Sequence, residues 1–72
     1  MIAKTIKRMR MELGLTQADL SEKTGLSRDT IASYECGRRT PSLHTAVTLS
    51  EFFGVPIKTF VIHLIEEGGD DQ

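Results

Sequence analysis

The sequence predicts an all-α fold of five helices. Three observations carry that expectation. Apolar residues recur with helical spacing along nearly the whole chain. Glycine or proline punctuates the pattern where short helices should end or begin, at Gly14, Gly25, Gly37, Gly54 and Pro56. No stretch reads convincingly as a strand.

Each element has a local justification. In "MIAKTIKRMRMEL", Ile2, Ile6, Met9 and Leu13 share one helix face, and Gly14 stops the helix. Lys4, Lys7 and Arg8 lie off that face. In "LTQADLSEKTG", Thr16 and Asp19 have capping-box spacing, Leu20 faces inward and Gly25 ends a short helix. Ser21 is expected to bond back to the Gln17 carbonyl. Ser27 caps a third helix, "RDTIASYEC", with Asp29 in its first turn, and Gly37 closes it. Ser42 or Thr40 starts a fourth, "LHTAVTLSEFFG", whose apolar set is Leu43, Ala46, Val47, Leu49, Phe52 and Phe53. Pro56 opens a fifth, with Ile57, Phe60, Val61, Leu64 and Ile65 on one stripe. The domain is expected over residues 1–67, followed by a frayed acidic tail at 68–72.

Seventy-two residues make one domain with a marginal core. One cysteine cannot form an internal disulfide, and no Cys/His cluster has zinc-ligand spacing, so no metal or cofactor is expected. Oligomerisation is the remaining support. No apolar run approaches the ~20 residues of a membrane span, and the basic N-terminus lacks the apolar core of a signal peptide. A cytoplasmic protein is expected. The net charge of −1 hides an asymmetry. Residues 1–39 carry eight Lys/Arg against five Asp/Glu, or +3, whereas residues 40–72 carry one against five, or −4. A basic half suits a polyanion.

Two short helices joined by a glycine turn suggest a helix-turn-helix, over about residues 16–36. Such a pair needs a small residue at the contact, a residue tolerant of positive φ in the turn, and a bulky apolar plug. Ser21, Gly25 and Ile31 meet these needs. On a helical wheel with Ile31 inward, Asp29, Ala32, Ser33 and Cys36 point outward, with Thr30 to one side and Arg28 on the flank. The outer face is small and polar, which suits close approach to base edges in a major groove about 12 Å wide.

The stretch "LGLTQADLSEKTGLSRDTIASYECGRRTPSL" resembles the phage repressor and Cro-like family of regulators, often called XRE, and the likeness continues through "TLSEFFGVPIKTF". The resemblance implies a compact five-helix, lambda-repressor-like DNA-binding domain, commonly dimeric on a palindromic operator. It places Gln17 at phosphate or the edge of the site, and Arg28, Asp29, Thr30 and Ser33 at base-reading positions. Ser27, Arg38 and Arg39 would hold phosphates. It also pairs Arg10 with Glu35 as a structural ion pair, and Arg10 is a further candidate for a phosphate. Cys36 stands where the family often has a polar phosphate contact.

Asp29 has two readings. It stabilises the positive end of its helix, or it accepts from a cytosine amino group and repels phosphate in a wrong register; an acid beside Arg28 also orients that guanidinium, so the two coexist. The apolar stripe of the fifth helix is broader than a small core needs, so Phe52, Val61, Ile62 and Ile65 are candidates for a homodimer interface. The function expected is sequence-specific double-stranded DNA binding by a transcriptional regulator, a repressor. The competing reading is an antitoxin or restriction-controller protein that also binds a protein partner, such as a toxin. No acid/base pair, oriented nucleophile or phosphate-cradling loop points to an enzyme.

Overall fold

The structure is a computed structural model, and it describes residues 2–60. Those residues are helical throughout, with short connections and no strand among them. The helices are α1 (Ile2–Glu12), α2 (Gln17–Thr24), α3 (Arg28–Glu35) and α4 (Leu43–Phe53). The chain divides into two compact units, with the boundary after Thr40.

The first unit holds α1 to α3. Within it α3 packs against both α1 and α2. One large apolar residue from each helix is fully buried: Ile6, Leu20 and Ile31. Tyr34 is nearly so. Burying such a side chain is worth about 1.5–3 kcal/mol, so these few residues supply much of what holds the unit together. Leu13, expected on the buried face of α1, is 56% exposed. The helix ends at Glu12, one residue short of it, so the 3.6-residue repeat no longer governs where it points.

Both helices of the central pair begin with well-formed caps. Thr16 accepts from the Asp19 amide and Asp19 accepts from the Thr16 amide, a reciprocal capping box. Ser27 caps α3 by accepting from the Thr30 amide at 3.0 Å. Between them Gly25 takes φ +81°, a left-handed conformation that a side chain would strain. Ser21 does not bond back to Gln17. Its hydroxyl donates across the turn to the Leu26 carbonyl at 2.6 Å. The turn brings that carbonyl within reach, and so offers Ser21 an acceptor not already engaged in helix α2. Thr24 donates to the Leu20 carbonyl at 2.7 Å and accepts from the Leu26 amide at 3.3 Å, a second tie across the turn.

In the second unit, Ser42 caps α4, and Ala46 and Leu49 are fully buried. Leu43 is not part of that core, since at the first position of the helix it remains 59% exposed. Phe52 and Phe53 meet edge to face with ring centres 5.1 Å apart, and Phe53 stacks near Phe60 at 6.2 Å. A new helical turn follows Pro56, marked by the Thr59 and Phe60 amides donating to the Pro56 and Ile57 carbonyls. The remainder of the expected fifth helix, and with it Val61, Ile62, Leu64 and Ile65, lies outside the described residues. So does the expected tail.

Candidate nucleic-acid interface

The candidate surface is built on α3 and the residues flanking it in the first unit. Arg28 and Asp29, at the exposed start of α3, both project into solvent. Arg28 lines an open cleft of about 610 Å³ together with Leu15, Thr16, Gln17 and Ala18. The start of α2 therefore faces the same cleft as Arg28. Helix starts carry amides without intrahelical partners and a partial positive charge, and an anion is favoured there.

Ser27 and Thr30 are tied to each other. The Ser27 hydroxyl donates to Thr30 Oγ1 at 2.7 Å while accepting from the Thr30 amide. Thr30 is half-buried. Ser33 shares the face of Asp29, as expected, but it is covered there: it is 1% exposed. The reason lies beyond its own helix. Gly37 adopts φ +85°, and the chain reverses over the end of α3. The Gly37 amide donates to Tyr34 and the Arg38 amide to Ser33, a Schellman motif. This reversal lays the "GRR" segment over the wheel position that Ser33 occupies. Arg38 then donates from Nη2 to Ser33 Oγ at 2.7 Å.

Asp29 does not pair with Arg28. Its carboxylate lies 3.9 Å from Arg38 Nη2. Arg39 and Cys36 are exposed. The Arg38 backbone amide holds the Cys36 thiol below the ordinary thiol range, with the Arg38 guanidinium adding to the effect.

Behind this surface sits the expected Arg10–Glu35 pair. Arg10 Nε and Nη2 donate to the two oxygens of Glu35 at 2.7 and 2.9 Å, and Nη1 donates to the Leu15 carbonyl at 2.7 Å. The guanidinium is thus held by Glu35 and the Leu15 carbonyl, and Arg10 also lines the cleft that Arg28 shares with the start of α2. Gln17 joins the pair, with Nε2 donating to Glu35 Oε1 at 3.1 Å. Burial pushes the Glu35 carboxyl up, but the hydrogen bonds from Arg10 and Gln17, with the charges of Arg10 and Lys7, hold it below its ordinary value. In turn, donating to the Glu35 carboxylate raises the pKa of Arg10 above its ordinary value.

Comparison with known proteins bears on this arrangement. A family model described as helix-turn-helix matches residues 6–60. The chain belongs to this helix-turn-helix family. An uncharacterized HTH-type transcriptional regulator of Methanocaldococcus jannaschii is 45% identical over 53 residues, 74% of this chain and 80% of that protein. The cryptic phage CTXphi transcriptional repressor RstR of Vibrio cholerae is 34% identical over 61 residues, which cover 85% of this chain but 55% of RstR. The immunity repressor protein of Bacillus phage phi105 is 37% identical over 60 residues, 83% of this chain and 42% of the repressor. No solved structure matches the chain.

Membership of the helix-turn-helix family makes the chain a DNA-binding regulator and not an enzyme. Among the described residues, no group of three or more His, Cys, Asp or Glu could hold a metal ion. Among them too, no helix is long and apolar enough to cross a membrane. Three features of the site were missed in the sequence: the Gln17–Glu35 bond, the Asp29–Arg38 pair and the burial of Ser33. The one local signal was the glycine in "ECGRR", which forecasts a reversal but not what the following side chains reach.

Proposed function

We propose that the protein is a sequence-specific repressor, acting in the cytoplasm, which binds a palindromic double-stranded operator as a homodimer. Helix α3 enters the major groove with its N-terminal end leading. Arg28 and Asp29 meet base edges there, and Thr30 contributes at the margin. The start of α2 and Arg39 face phosphates, and Ser27 supports α3 more than it contacts DNA. The observation that carries this reading is the shared cleft of Arg28 and the α2 start, because it puts an exposed guanidinium beside a helix N-terminus, a combination suited to a base edge and a neighbouring phosphate. The dimer contact is assigned to the apolar side chains of the second unit, Phe52 with Val61, Ile62 and Ile65. The two recognition helices would then read half-sites about 34 Å apart.

Selection of binding sites from random DNA at two salt concentrations tests the reading. A palindromic motif with half-sites about one helical turn apart is expected. Arg28→Ala should cost about 1–3 kcal/mol on the selected site and little on random DNA. No enriched motif at either salt concentration would overturn the assignment of sequence-specific binding.

A further inference from the structure

We propose that Arg38 is a base-reading residue of this surface, set on the outer face of α3 by Ser33 and Asp29, and not a phosphate clamp in the following loop. The inference rests on the reading of α3 as the recognition helix.

The backbone comes first. The Arg38 and Arg39 amides both donate to the Ser33 carbonyl, at 3.0 and 3.2 Å. This fold-back holds the Arg38 backbone against the last turn of α3. The far end of the side chain is then fixed. Nη2 lies 2.7 Å from Ser33 Oγ, whose residue is almost wholly buried, and 3.9 Å from Asp29 Oδ1. Asp29 and Ser33 are one helical turn apart, on the same face. The guanidinium therefore lies along that face, where the base-reading side chains stand, and its side chain is still 64% exposed. A guanidinium has five N–H donors; the ties to Ser33 and Asp29 both fall on Nη2, and the Cys36 thiol beside the group takes part of the rest.

The chemistry favours a base over a phosphate. Asp29, 82% exposed beside Arg38, repels a phosphate brought to the same spot. A guanine offers two acceptors at O6 and N7, and its paired cytosine offers an amino donor. Arg38 supplies donors and Asp29 an acceptor, side by side. The pair complements a G·C base pair. Ser33 is too short and too deeply buried to read a base itself. It acts as a positioning residue for the arginine that covers it.

The test begins with the wild-type protein in the random-site selection, then repeats it with Arg38→Ala, Arg38→Lys, Ser33→Ala and Asp29→Asn. Arg38→Ala is expected to lose preference for guanine at one base pair of the motif by at least about fivefold, with the salt dependence of binding unchanged. Arg38→Lys should lose most of that preference too, because an ammonium cannot make the bidentate contact. Ser33→Ala and Asp29→Asn should broaden the same base pair and no other. Arg38 is exposed, so its variants fold even if the Ser33 variant does not. A uniform loss on all sequences, with the salt slope falling by about one, would make Arg38 a phosphate clamp and overturn the proposal while leaving the recognition helix in place. If the wild type enriches no motif, the reading of α3 fails and this proposal falls with it.

Discussion

The first unit contains two arginine–carboxylate pairs, and they differ in almost every physical respect. Arg10 and Glu35 meet bidentately at 2.7 and 2.9 Å, with side chains 11% and 4% exposed. Asp29 and Arg38 approach to 3.9 Å, with side chains 82% and 64% exposed. The buried pair sits where solvent cannot compensate a lone charge, so each partner depends on the other. The exposed pair is screened by water and salt and adds little to stability. It fixes the direction of a guanidinium. Similar groups thus fasten two helices at one place and lie open to solvent on the outer face of α3 at the other.

The sharpest way to break that contrast is Glu35→Ala. It leaves Arg10 without its partner at a site shielded from water and should destabilise the fold by about 3 kcal/mol in denaturant unfolding. A loss no larger than that of a surface substitution would make the two pairs alike. Gly25→Ala comes next. It places a side chain at φ +81° in the turn between α2 and α3 and should cost about 1–2 kcal/mol, read as a lower thermal midpoint. Because Gln17 reaches Glu35 from α2, distortion of this turn also tests how far α2 supports the buried pair.

Acid gives a graded version of the same test. Glu35 is held below its ordinary value of 4.5 in the fold. The stability it contributes is therefore present above that value and is lost as the pH falls through the depressed one. Asp19, lowered from 3.8 by its hydrogen bonds with the Thr16 amide and hydroxyl, acts in the same direction in a lower window. Stability measured against pH should fall below about 4.5, and less steeply in a Glu35→Gln variant, whose side chain does not titrate. The smallest effect belongs to the exposed pair. Asp29→Ala should leave the unfolding midpoint where it is while raising affinity for random DNA at low salt, since it removes a negative charge from the binding face. A midpoint lowered in Asp29→Ala but not in Arg38→Ala would mean that Asp29 acts on the start of α3, and one lowered in both would give the exposed pair a structural role.

Much of the site was legible because its signals are local. Thr16, Asp19 and Ser27 form caps within one turn of themselves, and Gly25 answers to its own backbone angle. Arg10 and Glu35 were paired on the family resemblance and on wheel positions that put both at the core's rim. The failures share a cause. A wheel that treats α3 alone puts Ser33 on an open outer face, yet the segment after Gly37 covers it there. Proximity in sequence points Asp29 at its neighbour Arg28, yet a residue nine positions along reaches it.

The sequence by itself determined the helices, their caps, the glycine turn and the helix-turn-helix family, since these rest on propensity, periodicity and spacing between near neighbours. Only the tertiary structure decided which charges were buried, which side chain covered Ser33 and where the Arg38 guanidinium lies. Those outcomes depend on how the chain reverses at Gly37 and how α3 packs on α1 and α2. Burial and electrostatics act between groups brought together in space, and a linear pattern does not contain those distances.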